Sequence, residues 1–128
     1  MQPYIQNIEK ETLENEFFRK EVFTGTYLQM TLMTLQPGEE IGAEIHDNID
    51  QFLRIEQGSG RALVGETEYD VSDDWAIIVP AGMNHNVINT GDVPLKLYSI
   101  YTPPEHPQGT IHKTKAEADT AHAEHHHD

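Results

Sequence analysis

The chain has 128 residues, which is room for one domain with a single modest core. Its 8 Lys plus Arg against 22 Asp plus Glu give a formal net charge of −14. That field repels phosphate backbones and anionic lipid, so neither nucleic acid nor a membrane surface is expected as a partner. There is no cysteine, which excludes disulfides, thiolate nucleophiles and Cys-based zinc sites and leaves His, carboxylate and amide groups as the only ligands for a metal.

Residues 1–25 mix a possible short strand, "YIQNI", with a helical stretch around "KETLENEFFRK", where Leu13, Phe17 and Phe18 share one helical face. They read as a cap packed on the main body. The start lacks the charged segment, apolar stretch and small-residue cleavage site of a secretory signal. The longest apolar runs, such as "WAIIVPAG", fall far short of the roughly 18 residues of a membrane span. A soluble, cytoplasmic protein is the expectation.

Residues 26–104 change to short β-favouring runs separated by Gly, Pro, Asp and Asn: "TYLQMTLMTL", "PGEEIG", "QFLRIEQGSG", "RALVGETEYDV", "SDDWAIIVPAG", "HNVINTGDVP" and "LKLYSIYTPP". Six or seven strands with such regular turn signals predict an all-β domain, an antiparallel sandwich or barrel. Met30, Leu32, Met33 and Leu35 put apolar residues on both faces of one strand, which predicts burial inside the barrel and against a partner subunit in a homodimer. Residues 105–128 form a polar tail, expected to be disordered or a loosely attached helix.

Within this pattern, Glu44 and His46 lie two apart on an extended segment and share a face. Gln51 opens a strand whose inward face continues through Leu53 and Ile55, so its amide needs a buried partner. Asp50 shares the opposite face with Phe52 and Arg54. His85 begins a later strand on the face of Val87 and Asn89. Tyr98 and Tyr101 lie on opposite faces of the last strand, so at most one lines an interior, and packing under the barrel rim is the ordinary role. Trp75 is expected in surface packing. His106 and His112 are expected as exposed tail residues, with the barrel mouth, where they could contribute a base, as the lesser alternative, and the cluster His122, His125, His126 and His127 as an adventitious nickel or zinc binder.

The stretches "PGEEIGAEIHDNIDQFLRIEQGSG" and "PAGMNHNVIN" resemble the two signature motifs of the cupin superfamily, with Gly38, His46, Gly58, Pro80, Gly82, His85 and Asn89 at the family's spacings. The whole chain resembles the small single-domain bacterial cupins grouped as mannose-6-phosphate isomerase-like. The resemblance implies a single cupin β-barrel, a double-stranded β-helix of jelly-roll type. It also implies a mononuclear divalent-metal site of Glu44, His46, Gln51 and His85, holding Zn, Mn, Fe, Ni or Co. Three departures stand out: Glu44 replaces the first His, Gln51 the Glu, and Asp74 the opening Gly of the second motif. Asp tolerates left-handed geometry, so the last change spares the fold. The ligand changes keep one negative charge and move it to another corner. The implied functions are a sugar or keto-acid isomerase, a metal-dependent dioxygenase, or a non-catalytic barrel binding a small ligand, and fold alone does not choose among them.

Overall fold

The computed structural model describes residues 2–126, with side chains through residue 123. In chain order the elements are α1 (Ile8–Glu14), β1 (Arg19–Thr24), β2 (Gln29–Leu35), β3 (Asp50–Gln57), β4 (Ser59–Val64), β5 (Thr67–Ser72), β6 (Ala76–Val79), β7 (His85–Asn89), β8 (Leu95–Thr102), β9 (Ile111–His112) and α2 (Lys115–His126). The strands form a six-stranded sheet in the order β6-β3-β8-β2-β1-β9 and a three-stranded sheet in the order β5-β4-β7. All pairings are antiparallel. The expected all-β barrel is therefore observed, and its sheet extends past both ends of the 26–104 stretch through β1 and β9.

Period-two alternation sorts the interior. In register across β2, β8 and β3, Leu35 faces Leu95, Met33 faces Leu97 and Ile55, and Thr31 faces Ser99 and Leu53. The last row is Gln29, Tyr101 and Gln51. One end of the barrel is thus an apolar core, with Met33, Leu35, Leu53, Ile55, Leu95 and Leu97 at zero exposure. The other end carries buried polar groups, which cost free energy unless they are bonded.

Asp74 has φ of 72°. The left-handed conformation that the motif normally assigns to glycine is held here by Asp, which also pairs with Arg54 Nη2 at 3.0 Å. At Gly60 no substitute fits, because a Cβ would lie 2.4 Å from the Ile88 carbonyl oxygen. The motif residue Asn89 is structural: its Nδ2 donates to the Leu35 and Val93 carbonyls, both at 2.9 Å.

Several local expectations change. "YIQNI" is not a strand; α1 begins at Ile8 behind the cap Asn7, whose Oδ1 accepts from Lys10 N at 3.1 Å. The helix stops at Asn15, whose side chain bonds the Phe17 backbone, so Phe17 and Phe18 lead into β1 instead of continuing a helical face. "PGEEIG" makes a single isolated bridge, Glu40 to Ile88, and Glu44, two residues beyond it, makes a second, to His85. Between them the Asn86 side chain takes the ladder's place, accepting from Gly42 N at 2.9 Å. "RALVGETEYDV" is a hairpin of two strands that turns at Gly65 (φ 64°). The outer side of β2 is covered by this chain's own N-terminal segment: Thr34 Oγ1 donates to the Asn15 carbonyl at 2.8 Å. Burial of β2 on both faces therefore needs no second subunit.

The tail is also anchored. α2 starts behind Thr114, whose Oγ1 accepts from Glu117 N at 3.2 Å, and Ala118 joins the core. His127 and the side chains of His125 and His126 lie outside the described residues.

Lys96 fixes α1 to the outer face of the large sheet. Its Nζ donates to the Leu13 and Asn15 carbonyls, both at 2.7 Å, and lies 3.1 Å from Glu16 Oε1. A cation at the helix C-terminus satisfies carbonyls that have no intrahelical donor. Lys96→Met should lower stability by about 2 kcal/mol, because two buried acceptors lose a charged donor. Glu16→Gln, acting on an exposed carboxylate, should change it by less than about 1 kcal/mol. Urea unfolding midpoints of the two variants check this ordering.

Candidate metal centre

Glu44 and His85 are joined by a pair of backbone hydrogen bonds, Glu44 N to His85 O at 2.9 Å and His85 N to Glu44 O at 3.0 Å. Directly opposed residues put their side chains on the same face. His46, two residues on, is held by Gly82 N donating to its carbonyl at 2.8 Å. The result is a cluster in which one ligand atom each of Glu44, His46 and His85 lies within 4.8 Å of the others. The His46 and His85 rings are 5.4 Å apart at their centroids.

His85 Nδ1 lies 3.2 Å from the Met83 carbonyl oxygen. A carbonyl only accepts, so Nδ1 carries the proton and Nε2 presents its lone pair to the interior. His85 Nε2 is buried and has no partner among the described residues. His46 Nε2 lies 2.7 Å from Glu44 Oε2, an ion pair when the imidazole carries its second proton.

Gln51, in β3, donates from Nε2 to Ser99 Oγ at 2.9 Å. That bond uses the nitrogen end of the amide, and the buried Oε1 is left without a partner. Glu44, His46 and His85 are a donor set that suits a divalent cation, and Gln51 Oε1 is a further buried acceptor without a partner among the described residues. Asp50, by contrast, is exposed and accepts from Ala81 N at 2.9 Å, in keeping with its outward face.

Charge shifts follow from this packing. Burial pushes the Glu44 carboxyl up, but the His46 contact and the charges of His46, Arg19 and His85 outweigh it and hold the group below its ordinary value. His46 is raised by Glu44 against the effect of burial. His85 is lowered, chiefly by burial. The proton shared by Glu44 and His46 stands where a cation would compete for the same lone pairs.

The cluster opens into a cavity of about 550 Å³ whose lining includes Arg19, Glu44, His46, Glu105, His106 and His112. Tyr101 is 2% exposed, and its ring meets His46 edge-on at 6.3 Å and His106 at 5.2 Å. Tyr98 faces away and packs near Phe52, and Trp75 is half exposed. The expectation of exposed His106 and His112 is overturned. Gln29 accounts for His106: its Oε1 accepts from Glu105 N at 3.1 Å and His106 N at 2.8 Å, and its Nε2 donates to the His106 carbonyl at 2.7 Å. One buried amide pins the segment after β8 across the barrel mouth. Gln29 and Arg19 were not foreseen, and the folding-back was only the lesser alternative for His106, although the signal for Gln29 existed as a polar residue on the inward face of an otherwise apolar strand.

The Cupin domain family model matches residues 31–101, and the chain belongs to this family. A curated relative, "Uncharacterized protein YrkC" of Bacillus subtilis, is 56% identical over 122 residues, which cover 91% of this chain and 66% of that protein. "Uncharacterized protein L612" of Acanthamoeba polyphaga mimivirus is 41% identical over 114 residues, covering 86% of this chain and 71% of that one. The crystal structure of BH2720 from Bacillus halodurans superposes with a TM-score of 0.91 at 53% identity, covering 93% of this chain and 95% of its own. The chain thus spans only about two thirds of the length of the curated relatives.

Burial, then Arg19, pushes the His106 imidazole down to about 3. The unfolded chain, with an ordinary histidine near 6.5, binds this proton at a pH where the folded chain does not. Folding stability from this group is therefore intact above pH ~6.5 and is lost as pH falls toward ~3, by up to about 1.4 kcal/mol per pH unit. His106→Gln should flatten the fall in stability between pH 6.5 and pH 5. Chemical unfolding of metal-free parent and variant at both pH values measures the difference, and equal slopes would contradict it.

Proposed function

We propose that Glu44, His46, Gln51 and His85 hold one divalent ion, and that the protein is a metal-dependent enzyme of isomerase type acting on a small oxygen-rich metabolite. The observation that supports this reading is the meeting of one ligand atom each of Glu44, His46 and His85 within 4.8 Å, with His85 Nε2 and Gln51 Oε1 buried and without partners among the described residues. When bound, an ion of the Zn, Mn, Fe, Ni or Co group would act as a Lewis acid on substrate oxygens.

The remaining chemistry belongs to the chain. Glu105 Oε2 lies 3.8 Å from His46 Nδ1, too far for a hydrogen bond. Its carboxylate faces the cavity and is free to take a proton from a bound molecule and return it to a neighbouring carbon. This separates two duties that Glu44 could not hold together: Glu44 is a ligand and Glu105 the proton carrier. Tyr101 stays protonated, since burial raises its hydroxyl, and its ring walls the site against water. Gln29 keeps Glu105 in place.

The test is elemental analysis. α2 forms part of the cavity wall through Lys115, Ala118 and Asp119, so the tail histidines should be replaced by Gln in the full chain, not removed by truncation. After purification without metal resin, about one ion per chain is expected. His85→Ala and His46→Ala should abolish it, and Gln51→Ala should weaken it about tenfold or more. Absence of metal from the parent after reconstitution with Zn, Mn, Fe, Ni and Co would overturn the reading.

A further inference from the structure

Arg19 opens β1 and shares the inward face with Met33, its partner on β2. It is 6% exposed and lines the same cavity as Glu44 and His46. A guanidinium stays charged at any working pH, and burying it without a counter-charge is unfavourable. Yet no carboxylate among the described residues lies within ion-pair distance of it. Its one side-chain hydrogen bond runs from Nη1 to His112 Nδ1 at 3.2 Å. Arginine only donates, so His112 accepts there and is neutral, in agreement with its lowered basicity from burial and from Arg19 itself. Arg19 Nε is buried and has no partner. The Nε–Nη2 edge, which pairs with a carboxylate through two parallel bonds, is therefore unpaired among the described residues.

Two other basic groups of the cavity, Lys115 and His106, do not add to this charge. Lys115 is bonded to Asp119 Oδ1 at 2.8 Å and to the Ile41 carbonyl at 3.3 Å. His106 is neutral at ordinary pH. At the Arg19 end of the cavity, away from the metal centre, one unneutralised cation matches one carboxylate, whereas a phosphate dianion placed there would call for a second. We propose that Arg19 is the anion-binding residue of the cavity, taking the carboxylate of a small 2-keto or 2-hydroxy monocarboxylic acid. This rests on the metal-centre reading for the other end of the ligand, whose keto or hydroxy oxygen faces Glu44, His46 and His85. The carboxylate contact itself needs no ion. A sugar phosphate or a neutral sugar does not fit this charge balance.

Titration calorimetry with pyruvate and glycolate, on the full chain with tail histidines replaced, tests the assignment in metal-free and zinc-loaded protein. Acetol and ethylene glycol serve as neutral counterparts, and inorganic phosphate as the competing anion. Both acids should bind at least tenfold more tightly than their neutral counterparts. Arg19→Met should remove that preference while leaving zinc content unchanged, and Arg19→Lys, which keeps the charge and loses the fork, should restore only part of it. Should Arg19→Met fail to fold, the Arg19 Nε–H resonance of the parent protein reads the same contact and should move on addition of pyruvate. Tighter binding of phosphate, equal binding of acids and neutral molecules, or an unmoved Nε–H resonance would each overturn the proposal. Zinc bound without any acid affinity overturns it and leaves the metal centre standing; acid affinity through Arg19 without zinc retires the metal centre and upholds the anion contact.

Discussion

The double backbone bond between Glu44 and His85 is the constraint on which the site depends. Segment 38–46 is not a regular strand, and yet its register against β7 is fixed at several points. Gly38 N donates to the Asn89 carbonyl, Ile41 N to the Val87 carbonyl, and Gly82 N to the His46 carbonyl. A slip of one residue would turn Glu44 and His46 to the other face and leave His85 alone in the interior. The interruption at Gly42 matters as well, because the Asn86 amide replaces a ladder bond and lets the segment bend without exposing a buried N–H. Irregular backbone here is how two histidines and a carboxylate from distant parts of the chain reach one point.

The large sheet divides its interior between packing and chemistry. The rows from Leu35 to Ile55 exclude water and supply most of the apolar burial, while the row of Gln29, Tyr101 and Gln51 carries polar groups at equally low exposure. Gln29 has its amide fully used, in holding the segment over the mouth. Gln51, one position across from Tyr101, has only its nitrogen used. Two chemically identical side chains in one row thus differ in satisfaction: the amide of Gln29 is structural, and that of Gln51 keeps a buried acceptor without a partner among the described residues. A polar cluster kept only for packing would be expected to close its own bonds.

Much of this was legible in the sequence because turn chemistry and alternation are local. The inward direction of Gln51, the shared face of Glu44 and His46, and the left-handed Asp74 all followed from neighbours within a few residues. The ends of the chain were less legible for the opposite reason. Phe17 and Phe18 mimic a helical face, but Asn15 terminates α1, a competition between periodicity and a side chain bonding its own backbone. α2 did carry a start signal, Thr114 followed three residues later by Glu117, which its polar composition obscured. The meeting of Arg19 with His112 in one cavity was beyond reach, since it depends on β9 pairing with β1 across about 90 residues of chain.

The charge of the molecule is compatible with an anionic ligand because the two act over different distances. A net charge of −14 repels an anion in bulk solvent, but at physiological ionic strength exposed charges are screened beyond about 8 Å. Inside the cavity the nearest charges decide. A divalent ion with Glu44 would leave about one positive charge, and Arg19 adds another that no carboxylate among the described residues neutralises. Glu105 at the rim then stands opposite in sign to the cavity floor. An acid bound by its carboxylate at Arg19 would satisfy the buried guanidinium, whereas the buried acceptors His85 Nε2 and Gln51 Oε1 need a cation or a donor and not the acid's own keto oxygen.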